Sequence, residues 1–530
     1  MSRTTDKYSI ENTDYTVGQD NIQKWGFDVH NPVFGISAGL IIVFLIALLA
    51  SDADNAKAAL DGVKWQVIGS FDTLFMWSAN IFVIFCFALI LTPFGSIRIG
   101  GDNAKSEYSL LSWMSMLFAA GMGIGLMFWG VAEPAAFFTG WFETPLNVEA
   151  YSQEAAKLAL GATIFHWGFH GWAIYGVVAL ALAFFSFNKG LPLSMRSIFY
   201  PLLGDRAWGW VGHVVDIVAV LATLFGLATS LGLGAQQAAS GINHVFGTNG
   251  GIGMQLGVVA FVTGLAVISV MRGMNGGVKI LSNINMVVAF GLLLFVIIAG
   301  GTVALNSIPT GLMAYIENII PLSNPHGRED EAWVHGWTVF YWAWWVSWSP
   351  FVGMFIARIS KGRTIREFLV AVLLVPTSVI VIWMSVFGGL AIDQITNQVG
   401  ELGANGLKDI TLSLFHMFEA LPMSTLLSVV SIALIMVFFV TSSDSGSLVI
   451  DSITSGGKVD APVPQRVFWA AIGGAIAAVL LWVGGTESIQ ALQAGTVSMA
   501  LPFTFILLLM LISLMMGMKT ELQYRKLSHA

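Results

Sequence analysis

An all-α protein that crosses a membrane twelve times is the fold class this sequence predicts, and three observations predict it. The first is composition: of 530 residues, 56% are hydrophobic and only 10% charged, with a mean hydropathy of +0.77. Soluble domains carry about 25% charged residues, so this chain is a membrane protein. The second is that apolar runs of about 20 residues recur along the whole length, which suits helices rather than the short alternating segments of a barrel. The third is charge placement. With spans centred near residues 41, 83, 124, 170, 225, 262, 290, 345, 378, 436, 474 and 507, nineteen of the 24 Lys and Arg fall on the side of the N-terminus. Lys57, Lys64, Lys157, Arg328 and Lys408 fall on the other, together with many acids. Under the positive-inside rule both ends are cytoplasmic.

Residues 1–31 are polar, with no basic n-region leading into a cleavable apolar stretch, and are expected to be a cytoplasmic N-terminal segment. Residues 32–107 give two helices outside the main body. The last ten spans divide into two sets of five, 108–320 and 321–518, and because five is odd the second set runs in the opposite sense, an inverted repeat. Residues 519–530 are a short cytoplasmic tail. The single cysteine, Cys86, excludes an internal disulfide. No nucleophile and base stand together, so no enzyme is predicted.

Two spans look broken. The third contains AAGMGIGLMFWG (Ala119 to Gly130), with Gly121, Gly123 and Gly125 at alternate positions. Each glycine costs a helix about 1 kcal/mol relative to alanine. The segment either unwinds and frees carbonyls for a cation or a substrate, or lets helices pack closely. The tenth contains FFVTSSDSGS (Phe438 to Ser447). Thr441 and Ser442 either help hold sodium, which needs several oxygens, or bond back to the preceding turn. Asp444 reads as a helix-end or gating acid.

The eighth span holds five of the nineteen tryptophans between Trp337 and Ser349. Trp344, Trp345 and Trp348 fall within an arc of about 100° on a helix and can line one wall of a cavity. The fourth span, FHWGFHGWAIY, adds Trp167, Trp172 and Tyr175. Indole faces hold quaternary ammonium groups, which offer only charge and methyl surface; the other reading is aromatic packing against lipid or helices. His166 and His170 have a metal-compatible i, i+4 spacing but no further ligand in sight. Asp216, in the fifth span, is a buried acid whose partner the sequence does not name.

The stretches AAGMGIGLMFWGVAEP (Ala119 to Pro134), FYWAWWVSWSPFVGMFIARISKGRTIREF (Phe340 to Phe368) and FFVTSSDSGS resemble the betaine/choline/carnitine transporter family of bacteria. That resemblance implies two N-terminal helices followed by a LeuT-like five-plus-five inverted repeat with broken helices at the midplane. It implies a homotrimer in the inner membrane that imports compatible solutes by alternating access. Residue by residue, it places the substrate among Trp167, Trp172, Tyr175, Trp344, Trp345 and Trp348, near Gly121, Gly123 and Gly125. It places sodium, as coupling ion and with no other cofactor, at the carbonyls of Ala119, Met122 and Phe438 and the hydroxyls of Thr441 and Ser442. Gly125 stands where choline-transporting members tend to have an acid, which favours zwitterions. For a second sodium Thr223 is available, but Leu227 occupies the other expected place. The expected function is therefore sodium-coupled symport of glycine betaine, with dimethylsulfoniopropionate uptake, or sodium-independent carnitine- or choline-type transport or exchange, as alternatives. The expected partners are the solute, sodium, the bilayer and other copies of the chain, and no nucleic acid.

Overall fold

The computed structural model describes residues 13–121, 123–272, 277–458 and 460–528. A short antiparallel hairpin, β1 (Asn21–Lys24) and β2 (Phe27–His30), precedes α1 (Asn31–Ala50) and α2 (Ala53–Leu91). The third span is two helices, α3 (Leu110–Gly121) and α4 (Ile124–Thr139), and the fourth is α5 (Gln153–Trp167) and α6 (Phe169–Ala183). The first set of five closes with α7 (Trp210–Phe246), α8 (Ile252–Arg272) and α9 (Gly277–Ser323). The second set is α10 (Val339–Ile359), α11 (Ile365–Thr396), then, after a short α12 (Ser413–Glu419), α13 (Ser424–Thr454), α14 (Val463–Gly484) and α15 (Ser488–Ser528).

Among the described residues ten helices are long and apolar enough to cross a membrane. The α3–α4 pair is split, and α10 is rich in indole and phenol groups that lower its hydropathy; with these two the spans number twelve. Within α9 the chain turns at Gly301 (φ 54°, ψ −128°), a left-handed conformation natural to glycine.

The helices pair across the two sets with an exchange of position. α6 packs on α10 while α3 and α4 pack on α11, so the second helix of each set lies on the first of the other. α7 packs on α13 and α8 on α14, third on third and fourth on fourth. This reciprocity is what an inverted repeat produces. Of the ten long apolar helices, the fourth and fifth spans are the most enclosed, and α1 is largely exposed.

Ile97 and Ile99 pair with residues 362–365, and Thr364 and Glu367 form a capping box that starts α11. The hairpin is tied to the loop that follows α13. Asn21 Nδ2 donates to the Ser455 carbonyl (2.9 Å), and Lys458 Nζ meets Asp28 Oδ2 (2.5 Å). Desolvation pushes the Asp28 carboxyl up, but the hydrogen bonds from Lys458, Asn21 and Gln23 together hold it below its ordinary value.

Candidate functional site

The break in the third span is real and short. α3 ends at Gly121, Gly123 is extended (φ −166°, ψ −156°), and α4 starts at Ile124. Trp167 lies over the first turn of α4: a Cβ on Gly125 would stand 2.3 Å from the Trp167 ring, so glycine is what admits the indole. The fourth span breaks in turn at Gly168 (φ −91°, ψ −134°). There the Phe169 N–H donates to Tyr315 Oη (3.3 Å), and the His166 carbonyl accepts the Trp345 Nε1–H (3.0 Å). Gly171 and Gly226 give the same close approach to α10. Their Cβ atoms would meet the Trp345 ring at 2.4 Å and Trp348 Cδ1 at 2.9 Å.

The result is a cavity of about 40 Å³ lined by Gly123, Ile124, Gly125, Trp167, Tyr175, Ser230, Trp344, Trp345 and Trp348. Trp167 stands edge-on to Trp344 (centroids 6.0 Å, 82°) and to Trp345 (5.8 Å, 73°), and Tyr175 lies 4.7 Å from Trp345. Rings at such angles present faces and edges to one small space, the arrangement that surrounds a methylated cation. One of the expected residues stands elsewhere. Trp172 packs behind the wall, against Tyr175 and Trp345, and is not among the lining residues. Gly121 is the last residue of α3.

Sequence reasoning quoted the GVAEP stretch without singling out Glu133, and the structure makes it a centre. Its side chain is fully buried in α4. Oε2 accepts the Trp167 Nε1–H (2.9 Å) and the Tyr341 hydroxyl (2.6 Å), and Oε1 lies 2.6 Å from His166 Nδ1. His166 Nε2 continues to Thr338 Oγ1 (2.9 Å). One carboxylate thus fixes a cavity indole and joins α4, α5 and α10. The signal was an acid inside an apolar run, which by default needs a partner or a function.

The tenth span differs from its expectation: α13 is one unbroken helix from Ser424 to Thr454. The Thr441 hydroxyl bonds back to the carbonyls of Val437 (3.1 Å) and Phe438 (3.2 Å), and Ser447 bonds to the Asp444 carbonyl (2.8 Å). These bonds satisfy the hydroxyls without unwinding the helix. Thr441 and Ser442 are half-buried and Asp444 is buried within the helix, not at its end. Of the α3 half of the expected ion site, Ala119 is helical with its side chain undescribed, and Met122 lies outside the described residues.

His166 and His170 do not converge on a metal. His170 Nε2 faces Asn80 Oδ1 (3.1 Å) and Ser323 Oγ (3.3 Å), away from the Glu133 cluster. Asp216 has a partner in buried Arg196, whose Nε and backbone N–H donate to its two oxygens at 2.6 and 3.0 Å.

The sequence pattern described as "BCCT, betaine/carnitine/choline family transporter" matches residues 32–523. The chain belongs to the betaine/carnitine/choline transporter family. As a member it is a multi-pass membrane transporter and not an enzyme. It is 72% identical over 523 residues to a protein named glycine betaine transporter 1 from Vibrio parahaemolyticus, covering 99% of this chain and 100% of that one. A glycine betaine/proline/choline/ectoine transporter of the same organism is 67% identical, with 98% of this chain and 93% of the relative covered. A glycine betaine/proline/choline transporter of that organism is 49% identical over 98% of this chain and 96% of the relative.

Proposed function

We propose that the chain is a secondary symporter that uses inward sodium to import a zwitterionic onium solute, glycine betaine first. The observation that carries this reading is the aromatic cavity at the break of the third span. Trp167, Tyr175, Trp344, Trp345 and Trp348 surround it, Ser230 adds one hydroxyl, and among the described residues no acid lines it. A permanent cation gains from the ring faces alone, and the free amides at a helix start such as Ile124 suit its carboxylate. Glu133 sets the ring of Trp167 from behind. Gly125 leaves no room for an acid while Trp167 occupies its place, which disfavours a solute lacking its own negative charge. A sulfonium with a carboxylate fits the same features, so dimethylsulfoniopropionate is the second reading.

Sodium sits in this proposal between the α3 end and the Phe438, Thr441 and Ser442 region of α13. The half-buried hydroxyls support it, and they must turn from their own helix to reach the ion. With a neutral substrate, each sodium carries one charge inward, about 2.3 kcal/mol per 100 mV. That sustains about fifty-fold accumulation per ion. The charge distribution supports cytoplasmic termini in a bacterial inner membrane, and the family resemblance supports a trimer.

Equilibrium titration of tryptophan fluorescence tests the site. Glycine betaine is expected to shift the emission saturably and to be displaced by dimethylsulfoniopropionate more readily than by choline. A signal indifferent to every onium compound would remove the cavity from consideration.

A further inference from the structure

A second chemical cluster lies far along the same scaffold. α7 ends with His244 two residues before Phe246, and the short α12 carries His416 and Glu419 at an i, i+3 spacing that puts both on one face. Gly241, one turn before His244, lets the two elements touch: a Cβ there would stand 2.3 Å from the Phe415 ring. His244 stacks on Phe415 (6.0 Å, 29°) and meets His416 edge-on at 5.7 Å. One ligand atom from each of His244, His416 and Glu419 lies within 4.8 Å of the others, and His244 Nε2 is 3.4 Å from Glu419 Oε1. Among the described residues the His416 side chain makes no hydrogen bond, so its nitrogens are available.

We propose that His244, His416 and Glu419 form a binding site for a borderline divalent transition metal, zinc first. Two imidazoles and a carboxylate with one open position make a three-ligand zinc donor set. Ligand atoms around a tetrahedral zinc stand about 3.3 Å apart. The His244–Glu419 separation already meets this, and the remaining gap of at most about 1.5 Å closes by side-chain rotation.

The site's position gives the ion a consequence. Beside it, Ser240 on α7 shares a 2.7 Å hydrogen bond with Thr411, and both line a 560 Å³ cavity together with Asp409 and Ile410. A metal bound there staples the end of α7, in the first set, to the segment between α11 and α13 in the second. Alternating access moves one set against the other. Bound zinc therefore slows transport by bracing one wall of this cavity.

The test is zinc titration of the full-length, tag-free protein in nanodiscs by calorimetry, with cobalt absorption as a second probe of coordination. One ion per chain is expected, weakened at least about tenfold in His244→Ala and in His416→Ala, while both variants keep the wild-type fluorescence response to glycine betaine. Absent binding, or binding unchanged in either histidine variant, overturns the site and leaves an ordinary His244–Glu419 ion pair. In vesicles, micromolar zinc is expected to slow uptake reversibly on chelation in the wild type and not in His416→Ala; equal inhibition in both overturns the bracing role. The binding arm needs no transport, so it stands apart from the proposed solute and coupling.

Discussion

The third and tenth spans carry the same kind of signal, small and polar residues within an apolar run, yet one is broken and the other is not. In the third, alternate glycines remove both helix propensity and side-chain packing, and Trp167 occupies the space beside Gly125. In the tenth, the hydroxyls of Thr441 and Ser447 find acceptors about one turn back, and Gly446 fits against Leu227. Polarity alone therefore does not unwind this helix, whereas three alternate glycines accompany the break in the third span.

The comparison breaks most severely if the indole wall is removed. Trp345→Ala deletes a ring that touches Trp167 and Tyr175 and anchors on the His166 carbonyl. A desolvated cation–π contact is worth about 2 kcal/mol, so onium affinity should fall at least about thirtyfold while the protein still inserts. Wild-type affinity in a titration of that variant would end the role given to the rings.

A sharper version contrasts two glycines two residues apart. Gly125→Ala should weaken binding about tenfold or more, because the new methyl collides with Trp167. Gly123→Ala, where a Cβ meets nothing within 4 Å, should change binding little. Equal losses at both positions would mean that backbone freedom at the break, and not room for the ring, is what matters.

Next in size, Glu133→Gln keeps the shape but replaces the carboxyl group that joins Trp167, Tyr341 and His166 by an amide with different donors and acceptors. Leaving one of these buried groups mispaired costs about 1–3 kcal/mol, and affinity should drop about tenfold with altered Trp167 emission. An unchanged titration and thermal midpoint would reduce Glu133 to filler. On the tenth span, replacing Thr441 and Ser442 by Ala should raise the sodium needed for half-maximal uptake several-fold, with binding at saturating sodium preserved. Uptake with unaltered sodium dependence would move the ion away from α13.

The smallest effect is expected at the hairpin. Burial, then the charges of Arg196 and His213, push His30 down to about 3 from its ordinary value near 6.5. Below pH 6.5 the detached hairpin binds a proton that the docked one refuses until about 3, so docking weakens as pH falls through that window. Protection factors over residues 21–30, exchange rates corrected for the intrinsic pH dependence of amide exchange, should fall between pH 7 and 5, and the fall should vanish in His30→Asn. Protection independent of pH in the wild type would contradict this.

Much of the fold was legible because hydropathy and loop charge obey the bilayer directly. The aromatic wall was legible too, since α10 concentrates tryptophan as no ordinary packing requires. Period alone could not show that Trp172 faces away, because the Gly168 break resets the helix phase just before it. Glu133 stayed hidden since its partners, Trp167, His166 and Tyr341, lie 33 to 208 residues away in sequence. Asp216 and Arg196 were only 20 apart, yet the turn that joins them has no regular period to read.

Uptake of labelled glycine betaine into proteoliposomes, with and without an inward sodium gradient, is the most direct test of the central claim. Accumulation above the external concentration only with the gradient, abolished in Trp345→Ala, is the expected result. Uptake that ignores sodium and follows internal solute instead would make the protein an exchanger and contradict the account.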